Sequence, residues 1–448
     1  MNPKLINNAR IINENNDFTG SVLIGDEKIK KVFSEPLSEK EILKDWEVID
    51  ATGLILIPGI IDDHVHFREP GLTQKADIYS ESKAAIAGGV TSFMEMPNTK
   101  PATTSIHELE KKYELAKQKS FANYSFYFGA TNNNFEEIQK INPSEIPGIK
   151  LFMGSSTGNM LIDNENTLSK IFAESPKILV SHCEDEKTIK DNTEYYKKKF
   201  DGDIPFKNHP LIRSEEACYK SSSKAIKLAK KYNTRLHILH LSTAKELELF
   251  NEDIPLEEKK ITGEVCIHHL WFNDTFYKDL GYRIKWNPAV KKQNDQIKLL
   301  EGLINNKIDV IATDHAPHLL KEKQQTYLKS PSGGPMIQHS LLAMMEFFHE
   351  NKITVNKIVE KMCHNPAKLF KVKKRGFIKE GYWADLVLID PGKTYNINTD
   401  NILYKCKWSP MENLTFKSSV SHTFINGHLA YEKGNVSNQR HAKRIEFQ

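Results

Sequence analysis

Residues 58–71 read Pro58-Gly59-Ile60-Ile61-Asp62-Asp63-His64-Val65-His66-Phe67-Arg68-Glu69-Pro70-Gly71. An apolar run, Leu54 to Ile61, leads into this stretch with the length and β-branched content of a buried strand. Two histidines at i and i+2 follow, which puts both imidazoles on one side of an extended chain. At a strand end such a pair can present two neutral nitrogens to one metal ion. Arg68, two residues further on, carries a planar fork suited to a carboxylate. Metal ligands and an anion clamp in one loop indicate an active site rather than a structural zinc knot.

Outward from this loop, strand-like and helix-like segments alternate, the pattern of a parallel sheet. The expected strands are Ile55–Ile61, Val90–Met96, Tyr124–Ala130, Ile149–Phe152, Ile178–Ser181, Arg235–Leu241, Ile261–Val265 and Asp309–Ala312. Helical runs such as Ser80–Ala87, His107–Lys119, Ser214–Lys231 and Asp295–Asn305 separate several of them. Eight such strands predict an α/β fold of the (β/α)8 barrel type, with catalytic groups at the C-terminal strand ends. The chain ends differ from the middle. Lys4–Asn13, Ser21–Gly25 and Lys28–Phe33 read as short strands, as do Asp385–Ile389 and His422–Tyr431, the last around the hairpin signal Asn426-Gly427. Segments 1–57 and 371–448 are therefore expected to meet as a small β-sandwich flanking a barrel of residues 58–370. The polar stretch Lys321 to Pro335, ending Ser-Gly-Gly-Pro, is expected to form a long loop over the barrel mouth.

Composition narrows the class. The 448 residues carry a net charge of only +4, with lysines and acids interspersed, so there is no basic stripe for nucleic acid. Five cysteines, widely spaced and without a Cys-x-x-Cys pair, argue against a disulfide framework and fit a reducing cytosol. No segment has a signal-peptide core or the length of a membrane span, and a cytoplasmic enzyme is expected.

The polar residues at the strand ends then form one set. Strand one ends at His64 and His66, and strand four carries Lys150 within an apolar run. Strand five ends Ser181-His182-Cys183-Glu184, strand six contains His237 and His240, and strand eight runs into Asp314-His315-Ala316-Pro317-His318. His240, at the strand end before Ser242-Thr243, is favoured over His237 as the site residue; His237 is expected to pack or to act behind it. Cys183 reads as a small buried filler, and His268 and His269 receive no role.

This order of residues resembles the amidohydrolase superfamily and its cyclic-amidase branch, over nearly the whole chain, including Gly376 to Leu386. Within that branch the loop His64 to Gly71, the segment Met96-Pro97-Asn98-Thr99 and Asp314 to His318 are most similar to the dihydroorotases. The resemblance implies two zinc ions bridged by hydroxide. His64, His66 and Asp314 would hold one ion, and His182 and His240 the other. Lys150, carboxylated on its amine by CO2, would bridge both. It also implies that Asp314 carries the proton from the hydroxide to the leaving nitrogen. Arg68 and Asn98 would bind a ring carboxylate, with Asn287 and His318 meeting the substrate from the opposite side. The implied reaction is the reversible cyclisation of N-carbamoyl-L-aspartate to L-dihydroorotate in pyrimidine synthesis. The rivals are an allantoinase or hydantoinase with the same centre, and a non-catalytic scaffold, which should have lost ligands. Relatives of this kind leave a homodimer open as the assembly.

Overall fold

The structure is a computed structural model that describes residues 2–154 and 160–448. Both chain ends contribute to one nine-stranded sheet. Its first strand, Lys4–Asn13, turns back antiparallel through Glu14 and Asn15, both at positive φ, into Asn16–Gly25. The same first strand runs parallel to Ile55–Pro58, which in turn pairs antiparallel with Leu386–Asp390 from the far end of the chain. Ser419–Ile425 and His428–Glu432 extend the sheet as a hairpin. Its turn is the expected Asn426-Gly427, with φ of 50° and 78°, the two left-handed residues that a tight hairpin of this twist requires. Ile6, Ile11, Val22, Leu56, Leu388 and Phe424 form the apolar interior of this unit.

Eight parallel strands make the second unit: β1 Ile60–Val65, β2 Val90–Glu95, β3 Asn123–Phe126 with its continuation Phe128–Gly129, β4 Ile149–Met153, β5 Leu179–Cys183, β6 Leu236–Ile238, β7 Ile261–Cys266 and β8 Val310–Ala312. Each pairs with the next; β3 does so in two pieces, its first half on β2 and its second on β4. The circle closes where Val65 bridges His315 and the His66 N–H donates to the His315 carbonyl at 2.8 Å. The fold is thus the expected barrel with a β unit built from both ends.

Two strands depart from expectation. The run Ile55–Ile61 is not one strand: Ile55–Pro58 belongs to the terminal sheet and only Ile60 onward to the barrel. Gly59 is the pivot, because a side chain there would meet Thr91 Oγ1 at 2.1 Å. Strand six is shorter than Arg235–Leu241. His240 adopts φ 40° and its N–H leaves the ladder for Glu264 Oε1 at 2.9 Å. The stretch 321–335 is packed rather than free. It begins with a helical turn, Leu320–Lys323, and its far end lies beside strand eight, with the Ala316 N–H donating to Gly334 O at 3.0 Å.

Candidate metal centre

Five of the six predicted ligands lie at or just beyond the C-terminal ends of the barrel strands, where such folds carry their chemistry, and the sixth, Lys150, is the second residue of β4. His64 is the penultimate residue of β1, and His66 follows that strand. The His64 Nδ1–H donates to Glu264 Oε1 at 2.9 Å, and the His66 Nδ1–H to Asn98 Oδ1 at 2.8 Å. In the neutral rings both Nε2 lone pairs then face Asp314 Oδ1, at 3.3 Å from His64 and 3.1 Å from His66. Three acceptors at such distances repel one another unless a proton or a metal cation sits among them. The donor set therefore fits a divalent metal, and these spacings are those of ligands about one small ion.

A second pair of rings stands beside the first. His182, on β5, donates from Nε2–H to Glu184 Oε2 at 2.9 Å, which leaves Nδ1 bare at 2.9 Å from His240 Nε2. The Glu184 carboxylate is in turn ion-paired to Arg213. His64 and His240 have ring centroids 5.2 Å apart, which joins the two groups into one centre.

Lys150, on β4, is buried, and among the described residues nothing accepts a hydrogen bond from its Nζ. Burial pulls its pKa down to about 8, and its charge acts on His64, His182 and His240 alike. A lysine so depressed has an appreciable neutral fraction at pH 7, the form in which an amine is nucleophilic. The rings are tuned by the same surroundings. Burial lowers His66 to about 4 and pushes His240 well below its ordinary value. Burial also opposes charge on His64, but Glu264 and Asp314 outweigh it and pull that ring up. Burial favours the neutral acid at Asp314, yet His64 and His66 hold the carboxylate far below its usual range.

The remaining predicted residues ring the mouth. Arg68 is only 8% exposed and sits at φ 69°. Its Nε–H donates to Pro317 O at 3.1 Å and its Nη2 lies 3.0 Å from His318 Nε2. Among the described residues it has no carboxylate partner. Asn98 commits its oxygen to His66, and among the described residues its amide N–H groups have no acceptor. Asn287 precedes a cis proline and keeps a buried Oδ1 without a partner; the structure does not bond it to Arg68 or His318.

Several contributors escaped the sequence reading. Glu264, buried on β7, orients both His64 and the His240 backbone, and its signal was an acid inside the apolar run Ile261–Cys266. Asp62 ties β1 to the exit of β8, accepting from Thr313 Oγ1 at 2.6 Å, and burial raises it to about 8. His237 lies behind the site as expected, within 3.4 Å of Asp63 Oδ2. Cys183 is buried and free, as are the other four cysteines.

Among the described residues no helix is long and apolar enough to cross a membrane. A dihydroorotase from Methanosphaera stadtmanae is 32% identical over 389 residues, covering 87% of this chain and 88% of that protein. A dihydroorotase from Pyrococcus furiosus is 31% identical over 426 residues, covering 95% and 92%. Among solved structures, an L-hydantoinase from Arthrobacter aurescens superposes with a TM-score of 0.93 at 24% identity, covering 100% of each chain. A dihydropyrimidinase from Brevibacillus agri does so at 0.88 and 24%, covering 100% and 99%; at such identity the likeness is one of fold. Residues 55–430 match the Amidohydrolase family. The chain belongs to the amidohydrolase family, a family of metal-dependent hydrolases.

Proposed function

We propose that the protein is a dihydroorotase that closes N-carbamoyl-L-aspartate to L-dihydroorotate, and reopens it, at a pair of zinc ions. The observation that carries this reading is Arg68. A buried guanidinium without a carboxylate beside it is costly, and a substrate carboxylate removes that cost. The relatives named dihydroorotase support the same reading. In it residues 58–370 carry the chemistry, and segments 1–57 and 371–448 frame it.

His64, His66 and Asp314 would hold one ion, and His182 and His240 the other. The neutral Lys150 amine would add CO2 and release a proton, and the resulting carbamate would supply an anionic oxygen ligand to the centre. When bound, the ions lower the pKa of the attacking water and polarise the amide carbonyl. Asp314 takes the proton released by the water and returns it to the ring nitrogen as the C–N bond breaks. Ring closure runs the same transfers backwards. Arg68, the Asn98 amide and His318 hold the carboxylate, while Asn287 Oδ1 accepts from a ring N–H. The test is side-by-side turnover of zinc-loaded protein on dihydroorotate, allantoin and hydantoin. Preference for dihydroorotate is expected; turnover of a neutral ring alone overturns the substrate and the role of Arg68.

A further inference from the structure

Lys75 lies seven residues beyond Arg68, in the same loop. Two backbone turns fold it back: the Leu72 N–H donates to Arg68 O and the Lys75 N–H to Leu72 O, each at 3.0 Å. The reversal needs Gly71, at φ 85°, where a side chain would run into Lys100 O at 2.0 Å. The Lys75 ammonium ends 3.0 Å from His318 Nδ1 and 3.4 Å from Glu322. It also borders an open recess of about 520 Å³, together with Lys321, Glu322, Gln325, Lys329 and Pro331.

The chemistry of the three groups decides the tautomer. Nδ1 of His318 faces the Lys75 ammonium at 3.0 Å and, further off, Glu322 Oε2 at 3.7 Å; because an ammonium only donates, the nearer contact favours a bare Nδ1 with the ring proton on Nε2. Ser332 O, 3.0 Å away, accepts from that Nε2–H. A guanidinium also only donates, so Arg68 Nη2, 3.0 Å from the same nitrogen, gains no hydrogen bond there. The His318 Nε2–H thus rests on Ser332 O, and beside it Arg68 Nη2 has no acceptor on this ring, so a carboxylate oxygen entering here would meet both donors by sharing the Nε2–H with Ser332 O. Burial, with Arg68 and Lys75 adding to it, keeps the ring neutral.

We propose that Lys75 is a positioning residue for substrate: by donating to Nδ1 it fixes His318 as the Nε2–H tautomer, so that Arg68 and His318 offer neighbouring donors to one carboxylate. Without Lys75 the ring is free to turn its bare nitrogen to Arg68, which consumes the donor meant for the anion. This rests on the reading that Arg68 and His318 receive a substrate carboxylate.

The first arm is independent of activity. In metal-loaded protein with 15N-labelled histidine, the His318 signals, identified by their loss in His318→Gln, are expected to show the proton on Nε2. In Lys75→Met they should show a mixture or the Nδ1–H form, and Lys75→Arg should restore the original. The second arm is kinetic. Lys75→Met is expected to raise KM for dihydroorotate, and to weaken binding of orotate, by about ten- to hundredfold. Little change is expected in kcat, or in the affinity for uracil, which lacks the carboxylate. A wild-type His318 protonated on Nδ1, or an unchanged tautomer and KM in Lys75→Met, overturns the proposal. So does a loss of kcat and thermal stability with KM unaltered, which marks a merely structural lysine. Failure of the dihydroorotase reading is separate: the wild-type protein then ignores dihydroorotate, while the tautomer arm still reports on Lys75.

Discussion

Lys150 is the residue on which the centre turns. An ordinary buried lysine seeks a carboxylate or a set of carbonyls, as Lys112 finds Glu95 and Lys323 finds three backbone oxygens. Among the described residues Lys150 finds neither, and it lies under the combined influence of four prospective ligands. Lys150→Ala is expected to abolish turnover and reduce bound metal, with partial recovery in short-chain carboxylic acids able to stand in for the proposed carbamate. Metal analysis and turnover in propionate check this; two metals with full activity in the alanine variant would remove the bridge from the account. The proposed ligands were legible in the sequence as a set, because histidines and an aspartate at the ends of apolar runs are conspicuous. Glu264, Glu184 and Lys75 were not. Glu264 and Lys75 act through side chains distant in sequence, Glu184 lies two residues from the His182 it orients but reads as an ordinary strand-end acid, and Gln74-Lys75-Ala76-Asp77 reads as ordinary solvated surface. The site chain also sits in uncommon backbone states: Arg68, His240 and Asp314 all have positive φ, at 69°, 40° and 44°. Such positions persist only where the surroundings hold them, and they gather at functional sites.

At the scale of elements, the mouth loop is propped from below by one buried ion pair. Glu95 closes β2 and meets Lys112, from the helix Ile106–Lys119, at 3.0 Å, with both side chains fully buried. The other oxygen of Glu95 accepts from the Phe67 N–H at 2.9 Å, one residue before Arg68. Helix, strand and clamp are thereby connected. Removing one partner of such a pair strands the other, so Lys112→Met should cost about 3–5 kcal/mol, and adding Glu95→Gln should recover much of it. The pH dependence follows from burial, which raises the Glu95 carboxyl even against Lys112. A carboxyl whose folded pKa lies above its unfolded one stabilises the fold at low pH and loses that contribution as pH rises through the folded value. Without Lys112 the folded value climbs further, so the deficit relative to wild type should shrink as pH falls towards about 4.3, the unfolded carboxyl value. Denaturant titrations of both proteins at several pH values decide it; a pH-independent gap would mean that lost packing, not charge, is responsible. The break at Pro58-Gly59 belongs to this scale too. Hydrophobic pattern places Leu54 to Ile61 in a strand, but it does not say in which sheet, and only the crowding of Gly59 against Thr91 splits it.

The two units of the molecule are joined by a buried polar knot. Asp385 is ion-paired to Arg375, accepts from both the Asn426 N–H, at 2.8 Å, and the Asn123 amide, and Asn426 donates to Asn123 Oδ1 at 2.9 Å. Asn123 opens β3 of the barrel, while Asn426 is the hairpin turn of the terminal sheet. Arg375→Leu leaves Asp385 buried without its counter-charge, a loss of about 3–5 kcal/mol. In a protein of this size it should appear as faster thermal inactivation with turnover at 25 °C preserved. An unchanged inactivation rate would place the joint elsewhere.

The terminal sheet also has a temporal side. Ile55–Pro58 lies between the first strand of the chain and Leu386–Asp390. On a ribosome adding about 5–20 residues per second, the covering strand emerges about 330 residues later, after roughly 15 to 65 s. Through that interval one edge of the nascent sheet stands open, blunted only by Pro58, which has no N–H to offer a stray strand. All eight barrel strands are synthesised within the wait, so they can pair with one another before the terminal sheet has its last strands to pair with.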